Sequence, residues 1–185
     1  MSKLRLSLGC WNYERTRSLL EGRIQPDGID LNYLNMPVEE TFIRMLRNRE
    51  FDVAEMSLSS YTVSLFEDSP LIAIPVFPSR FFRHSCSYVS GWVAQSLYKA
   101  FCQAQQETYQ DLYETVALKT MLPWLSAHVE EARRELGGDF WSYGFDKKVD
   151  TLSTFLRYSY EQGLSKHLLT PSQLFAAETR ESFKI

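Results

Sequence analysis

The stretch Phe51-Asp-Val-Ala-Glu-Met-Ser-Leu-Ser-Ser-Tyr61 decides the fold class of this 185-residue chain. Residues 51–54 form a short, largely apolar and β-prone run, which predicts a buried strand. Ser57, Ser59 and Ser60 are residues that cap helices, so they predict a helix that begins near Ser59. A strand that leads directly into a helix is the repeating unit of an α/β sheet.

Similar strand–helix units lie on both sides of this stretch. Residues 4–8 and 29–34 alternate apolar and polar side chains, which predicts two further strands. A helix is predicted over 16–21 and another after Pro37, and the apolar run 71–77 is long enough for a buried strand. The order β-α-β-α-β-α-β predicts an α/β fold with a largely parallel sheet flanked by helices.

From Trp92 onward the pattern becomes helical, with apolar residues every three or four positions. We expect a helix to about residue 119, a second after Pro123 and a third over 146–160. Residues 170–173, Thr-Pro-Ser-Gln, have the form of a capping box. We therefore predict one domain over 1–185, with a β/α half at 1–90 and a helical half at 91–185.

Composition and charge narrow the classes of partner. The net charge of −3 gives no electrostatic reason to expect nucleic acid or an anionic membrane. The chain has no run of about 18 apolar residues, and its start lacks a signal-peptide core, which predicts a cytoplasmic protein without a membrane span. The three cysteines are widely spaced and include no C-x-x-C pair, which argues against a disulfide framework.

The candidate ligand site lies beyond the carboxyl ends of the strands, where ligands bind in α/β sheets. This rule selects the loops at 9–15, 55–60 and 78–85. Aromatic, cationic and hydroxyl groups in the first two loops are suited to an aromatic acid. These candidate substrate-binding residues are Trp11, Tyr13, Arg15, Ser57, Ser59 and Ser60.

The third loop adds the cationic run Arg80, Arg83 and His84, which would bind an anionic group. His84 has an ordinary pKa suited to proton transfer, and Glu55 follows an apolar strand, where an acid needs solvent or a partner. Each residue also has a purely structural alternative: a hydrogen-bonded histidine, a partnered acid or surface arginines. Cys10 is expected to be a packing residue, and no metal-ligand spacing is present.

Several blocks of the chain resemble the 4,5-dihydroxyphthalate decarboxylase family. In the first half they are Cys10-Trp-Asn-Tyr-Glu-Arg-Thr-Arg17, Pro37-Val-Glu-Glu-Thr-Phe42, the stretch 51–61, and Ile74-Pro-Val-Phe-Pro-Ser-Arg-Phe-Phe-Arg-His-Ser85. In the second half they are Trp92-Val-Ala-Gln-Ser-Leu-Tyr-Lys-Ala-Phe101, Met121-Leu-Pro-Trp124, Asp139-Phe-Trp-Ser-Tyr-Gly144 and Leu169-Thr-Pro-Ser-Gln-Leu-Phe175. The blocks keep their order along almost the whole chain.

The resemblance implies one lobe of a type 2 periplasmic-binding-protein-like fold. Family members resemble two-lobed proteins, whereas this chain runs from residue 90 directly into residue 91 of the C-terminal blocks. The second lobe is therefore expected to be deleted near 90–91. We also expect residues 88–90 to occupy the position of the strand that returns from that lobe.

The implied activity is cofactor-independent decarboxylation of 4,5-dihydroxyphthalate to 3,4-dihydroxybenzoate and carbon dioxide. The candidate catalytic residues are His84, as proton donor, and Glu55, which would accept or orient a phenolic proton. Arg80 and Arg83 would hold the spectator carboxylate. Because half of the cleft is missing, weak or absent activity is expected. The alternatives are a small-acid-binding module without catalysis and a remnant that forms homo-oligomers through its exposed cleft.

Overall fold

The computed structural model describes residues 3–67, 71–79, 85–88, 91–113, 123–175 and 177–180. Strands in these residues form a five-stranded sheet of order β2-β1-β3-β5-β4. The strands are β1 Leu4–Cys10, β2 Ile29–Asn35, β3 Val53–Ser57, β4 Ala73–Ile74 and β5 Ser85–Tyr88.

The centre of the sheet is parallel. β1 pairs with β2 along its whole length and with β3 through Leu8 opposite Val53 and Gly9 opposite Ala54. Helices flank these three strands, so the predicted α/β class is confirmed. The register places the carboxyl ends of β1 and β3 side by side, which positions the candidate site.

The strand β5 lies between β3 and β4 and runs antiparallel to both. Its backbone pairs Cys86 with Met56 and Tyr88 with Ala73. We predicted a strand at 88–90 in this part of the sheet; the observed strand begins earlier, and residues 89 and 90 lie outside the described residues.

The strand β4 is shorter than the predicted run 71–77. Pro75 follows it directly and has no backbone N–H to continue the ladder. The chain turns there, because the Val76 amide donates to the Ile74 carbonyl oxygen at 2.8 Å. Val76 and Phe77 are nevertheless buried, as the apolar run predicted.

The helices predicted within the described residues are present, with ends that differ by a few residues, and the end predicted near residue 119 lies outside the described residues. They are α1 Arg17–Leu20, α2 Val38–Asn48, α3 Leu58–Ser64, α4 Gly91–Tyr113, α5 Leu125–Leu136 and α6 Val149–Glu161, with 3-10 turns at Glu14–Thr16, Asp146–Lys148, Pro171–Gln173 and Ala177–Thr179. No helix within the described ranges combines the length and apolarity needed to cross a membrane.

The capping prediction for α3 is wrong in detail. Ser57 occupies the N-cap position, but its side chain makes no capping hydrogen bond. The Ser57 and Ser59 hydroxyl oxygens instead lie 2.7 Å apart, because the two side chains bond to each other. By contrast, the predicted box at Thr170 is present, since the Thr170 amide donates to Gln173 Oε1 at 2.7 Å.

One hydrophobic core joins the two halves of the chain. Its buried residues include Leu8 and Val53 from the sheet together with Leu97 and Phe101 from α4. Leu152, on α6, belongs to the same cluster. The amphipathic pattern after residue 91 therefore arises because one face of these helices packs toward the sheet.

The buried thiol of Cys102 on α4 predicts a loss of stability at alkaline pH. Burial is the main cause that raises its pKa from 9.0 to about 11. The unfolded chain therefore releases this proton first, so the free energy of unfolding is expected to fall as pH rises from about 9 to about 11. In Cys102→Ala, this fall in the free energy of unfolding should be smaller by about 1–2 kcal/mol.

Urea unfolding at about pH 8 and about pH 10.5, for the wild type and the variant, measures this difference. Groups that do not interact with Cys102 contribute equally to both proteins and cancel in the comparison, whereas Tyr98, which is hydrogen-bonded to Cys102, contributes to the measured difference. An equal loss of stability in the two proteins would contradict the assignment to Cys102.

Candidate functional site

The carboxyl ends of β1 and β3 bring Glu55 next to Cys10 and the loop that follows it. Glu55 is fully buried. Its carboxylate accepts hydrogen bonds from the Tyr13 hydroxyl at 2.6 Å, the Trp11 amide at 3.4 Å and the Cys10 thiol at 3.6 Å. All three donors come from residues 10–13, so one segment compensates for removing this acid from water.

The Tyr13 hydroxyl makes the shortest of these three hydrogen bonds. Burial, followed by the charge of Glu55 and its hydrogen bond, raises the pKa of Tyr13 well above its ordinary value, while a hydrogen bond with Ser79 acts in the opposite direction. Tyr13 is therefore protonated at neutral pH and donates to Glu55. This hydrogen bond fixes the orientation of the Tyr13 hydroxyl, whose oxygen can still accept a hydrogen bond from a ligand.

Arg15 lies beside this pair, held on two sides. Its Nη2 donates to the Pro78 carbonyl oxygen at 2.8 Å, and its guanidinium lies 3.8 Å from the centre of the Trp141 ring. Its Nε is buried and has no hydrogen-bond partner among the described residues. A fixed guanidinium with an unused donor is suited to an oxygen atom of a ligand carboxylate.

Tyr33 of β2 holds the loop 11–16 in place through its hydroxyl group. The Tyr33 hydroxyl oxygen lies 2.9 Å from both the Trp11 carbonyl oxygen and Thr16 Oγ1. Thr16 is fully buried and donates to the Tyr13 carbonyl oxygen at 3.2 Å. Trp11 itself is 42% exposed, so its ring remains accessible to a planar ligand.

The three predicted serines lie in a different arrangement from the one we expected. Ser57 is buried and bonds to Ser59. Ser59 and Ser60 line a shallow cavity of about 470 Å³ with Leu46 and Leu164 among its other residues. Neither Tyr13, Arg15 nor Glu55 lines that cavity, so the structure joins those three residues but not the serines into one site.

Arg80, Arg83 and His84 lie outside the described residues. Their roles as anion-binding and proton-donating groups stay predictions. Ser85, the next described residue, pairs through its backbone with Ser57 of β3.

Two residues of the site were missed by the sequence reasoning. Trp141 stacks on Arg15 and donates from its indole N–H to the Phe77 carbonyl oxygen at 3.0 Å. Tyr143 is buried, and the positive charge of Arg15 acts on its hydroxyl. Both lie in the block 139–144, whose aromatic residues were the available signal, but no periodicity linked that block to Arg15.

Cys10 is a packing residue, as expected. It is fully buried, and burial together with the nearby charge of Glu55 raises its pKa well above the ordinary value. A protonated, inaccessible thiol is a poor nucleophile. In the part of the chain that the structure describes, no group of three His, Cys, Asp or Glu side chains is placed to hold a metal ion.

Comparison with known proteins gives two relatives of the same name. A protein from Comamonas testosteroni named 4,5-dihydroxyphthalate decarboxylase is 24% identical over 330 aligned positions, covering 100% of both chains. A 4,5-dihydroxyphthalate decarboxylase from Pseudomonas putida is 47% identical over 90 positions, which make up 48% of this chain and 35% of that relative. No family model matches the chain.

The lengths in these alignments differ strongly. The first runs over 330 positions, whereas this chain has 185 residues, so many aligned positions have no residue of this chain opposite them. The resemblance stated from the sequence blocks is confirmed to the extent that relatives with that name are similar to this chain. The type 2 periplasmic-binding-protein-like assignment and the missing lobe stay predictions.

Proposed function

We propose that this chain binds a hydroxylated aromatic dicarboxylate at the Tyr13–Glu55–Arg15 site and removes one carboxylate as carbon dioxide. The observation that carries the proposal is the hydrogen bond between buried Glu55 and half-buried Tyr13, next to an arginine with an unused donor. The relatives named 4,5-dihydroxyphthalate decarboxylase support 4,5-dihydroxyphthalate as the substrate.

In this proposal Arg15 binds the carboxylate that stays on the ring. Its position is fixed by Pro78 and Trp141, so little conformational freedom is lost when the ligand binds. The exposed ring of Trp11 would cover one face of the aromatic substrate. These contacts leave the second carboxylate of the substrate unbound and able to leave the ring.

The reaction breaks the carbon–carbon bond to that second carboxylate. Its electron pair stays on the ring carbon, carbon dioxide leaves, and the ring carbon takes up one proton, for which His84 stays the predicted donor. A hydrogen bond donated by the substrate's phenolic hydroxyl to the Tyr13 oxygen increases electron density in the ring. Tyr13 would contact the phenolic oxygen, and Glu55, which is fully buried, would act through Tyr13 as a positioning residue.

A second candidate is binding of the same acid without turnover. It is favoured by the length difference, since many positions of the Comamonas alignment have no residue of this chain. A cleft that lacks half of its walls excludes water poorly, which weakens every electrostatic contact in it. We therefore expect turnover to be slow and propose detection at stoichiometric concentrations of protein.

The test of the proposal is product detection. Purified protein is incubated with 4,5-dihydroxyphthalate, and 3,4-dihydroxybenzoate and carbon dioxide are quantified against Tyr13→Phe and a buffer blank. Product above the blank, lost in the variant, supports decarboxylation at this site. Saturable binding without any product from folded protein would support the binding module instead.

Replacing Arg15 with methionine should weaken binding of 4,5-dihydroxyphthalate about 10- to 100-fold, because a charge-assisted contact to a carboxylate is lost. Isothermal titration calorimetry measures the dissociation constant. Arg5→Met is the matched control, since Arg5 lies near the amino end of β1, away from the site, and pairs at the surface with Asp30. Equal affinity of the two variants would remove Arg15 from the site.

A further inference from the structure

A second cavity lies between α4 and the segments that end the described chain. Its volume is about 540 Å³, within the usual range of small-molecule sites. It is lined by residues of α4, of the segment 138–147 and of the turn at the C-terminal end. Its chemistry comes mainly from Tyr98, Tyr109, Asp139, Tyr143, Lys147 and Arg180.

Two polar groups of this cavity are buried with no acceptor among the described residues. Tyr143 is only 4% exposed, and its hydroxyl makes no hydrogen bond there. The Nε of Arg180 is also buried and has no hydrogen-bond partner among the described residues. Burial raises the pKa of Tyr143, so its hydroxyl keeps its proton and can donate. Leaving such donors unpaired is costly, which points to a ligand with an acceptor oxygen.

The remaining charges of the cavity lie near its mouth. Lys147 Nζ is 2.5 Å from Asp139 Oδ2, and this pair is half exposed. The Tyr109 hydroxyl also donates a hydrogen bond to Asp139 Oδ1 at 3.2 Å. Asp146 is exposed. The deep positive charge is therefore that of Arg180, while the acids near the mouth disfavour a second negative charge on a ligand.

The walls provide room for an aromatic ring. Tyr98, Tyr109 and Phe145 line the space. Gly144 has a φ of 106°, and a Cβ at that position would lie 3.1 Å from the Tyr98 hydroxyl oxygen. Glycine at this position therefore permits the backbone turn and keeps a wall of the cavity open.

The cavity adjoins the site at the carboxyl ends of the strands and shares Tyr143 with it, but its other lining residues are different. Tyr13, Arg15 and Glu55 do not line it. Gln105 lines the cavity and connects it to that site, because its Nε2 donates to the carbonyl oxygen of Trp141 at 2.5 Å. Ligands can consequently be tested at one site while the other is disabled.

We propose that this cavity is a binding site for an aromatic monocarboxylate, with Arg180 and Tyr143 donating to the carboxylate. One carboxylate satisfies the two unpaired donors, and the aromatic walls contact the ring. A second carboxylate would approach Asp139 and Asp146 at the mouth. The site therefore prefers a monoanion to a dianion.

Calorimetric titration with benzoate tests the proposal, in the Arg15→Met background so that the strand-end site is weakened. One saturating equivalent is expected, with at least about tenfold weaker affinity after Arg180→Met and a smaller loss after Tyr143→Phe. Tyr143→Phe keeps the shape of the buried ring, so it stays informative if the arginine variant does not fold. Arg157→Met, at an exposed arginine on α6, should leave the affinity unchanged.

The same titration with phthalate should give weaker binding than benzoate. The proposal is overturned by absence of saturable benzoate binding to folded protein, by equal affinity in both cavity variants and the parent, or by tighter binding of phthalate. Turnover of 4,5-dihydroxyphthalate is a separate readout. Its absence would leave benzoate binding intact, so failure of the proposed function and of this site can be told apart.

Discussion

Replacing Glu55 with glutamine is expected to lower the rate of product formation at saturating 4,5-dihydroxyphthalate by about 100-fold or more. The amide keeps the size of the side chain but has one acceptor oxygen instead of two. The donors at Tyr13, Trp11 and Cys10 then compete for that oxygen, and the amide N–H₂ group meets another donor. Tyr13 loses the acceptor that orients its hydroxyl group.

The same change should cost about 1–3 kcal/mol in the free energy of unfolding, because a buried donor loses its partner. Two readouts therefore separate chemistry from folding: the single-turnover rate, by product chromatography, and the dissociation constant, by calorimetry. A residue that acts through Tyr13 changes the rate but leaves the affinity near that of the wild type. Glu14→Gln, at an exposed acid in the same loop, is the control.

An unchanged single-turnover rate in folded Glu55→Gln protein would show that the buried acid has only a structural role. Loss of affinity with an unchanged rate constant would instead assign Glu55 to ligand binding. Either result would require another group to interact with the phenolic oxygen.

Truncating Phe101 to alanine should destabilise the whole chain by about 3–5 kcal/mol. Phe101 is fully buried on α4 and belongs to the core that also contains Leu8 and Val53. Removing its ring leaves a cavity between the helical half and the sheet. Because one core joins both halves, we expect a single unfolding transition that shifts as a unit.

Thermal unfolding followed by circular dichroism, and urea unfolding followed by tryptophan fluorescence, measure the change. Gln110→Ala is the matched control, since Gln110 is exposed on the same helix and its removal should be nearly neutral. Two separate transitions, of which only one moves in Phe101→Ala, would contradict the prediction of one domain over 1–185.

Local sequence pattern predicted most of the fold. Alternation at 4–8 and 29–34 corresponds to β1 and β2, and the capping box at Thr170 is present. These features depend on neighbouring residues, so a single sequence carries them. The strand predicted over 71–77 is present only as β4, because Pro75 lacks the N–H that would continue the ladder.

The candidate site was predicted in part for the same reason. Tyr13 and Arg15 follow β1, Glu55 lies within β3 near its carboxyl end, and the rule for α/β sheets placed them at one edge. The contact of Trp141 with Arg15 joins residues far apart in the chain, and no local pattern encodes it. The same holds for the hydrogen bond from the Tyr61 hydroxyl to the Leu174 carbonyl oxygen, which ties α3 to the C-terminal region.

The capping error at α3 has a different origin. Serine is suited both to capping a helix and to bonding with a neighbouring serine, and the sequence does not distinguish the two. The observed bond between Ser57 and Ser59 removes one of the hydroxyl groups that we had assigned to the ligand. The Ser57, Ser59 and Ser60 assignment to phenolic oxygens stays a prediction that the Tyr13–Glu55–Arg15 geometry does not require.

The most direct test of the central claim is a stoichiometric, long-incubation assay of 3,4-dihydroxybenzoate formation from 4,5-dihydroxyphthalate, run side by side with Tyr13→Phe. We predict slow product formation by the wild type and none above the blank by the variant. Folded wild-type protein that forms no product, or product formation that is equal in the two proteins, would contradict decarboxylation at this site.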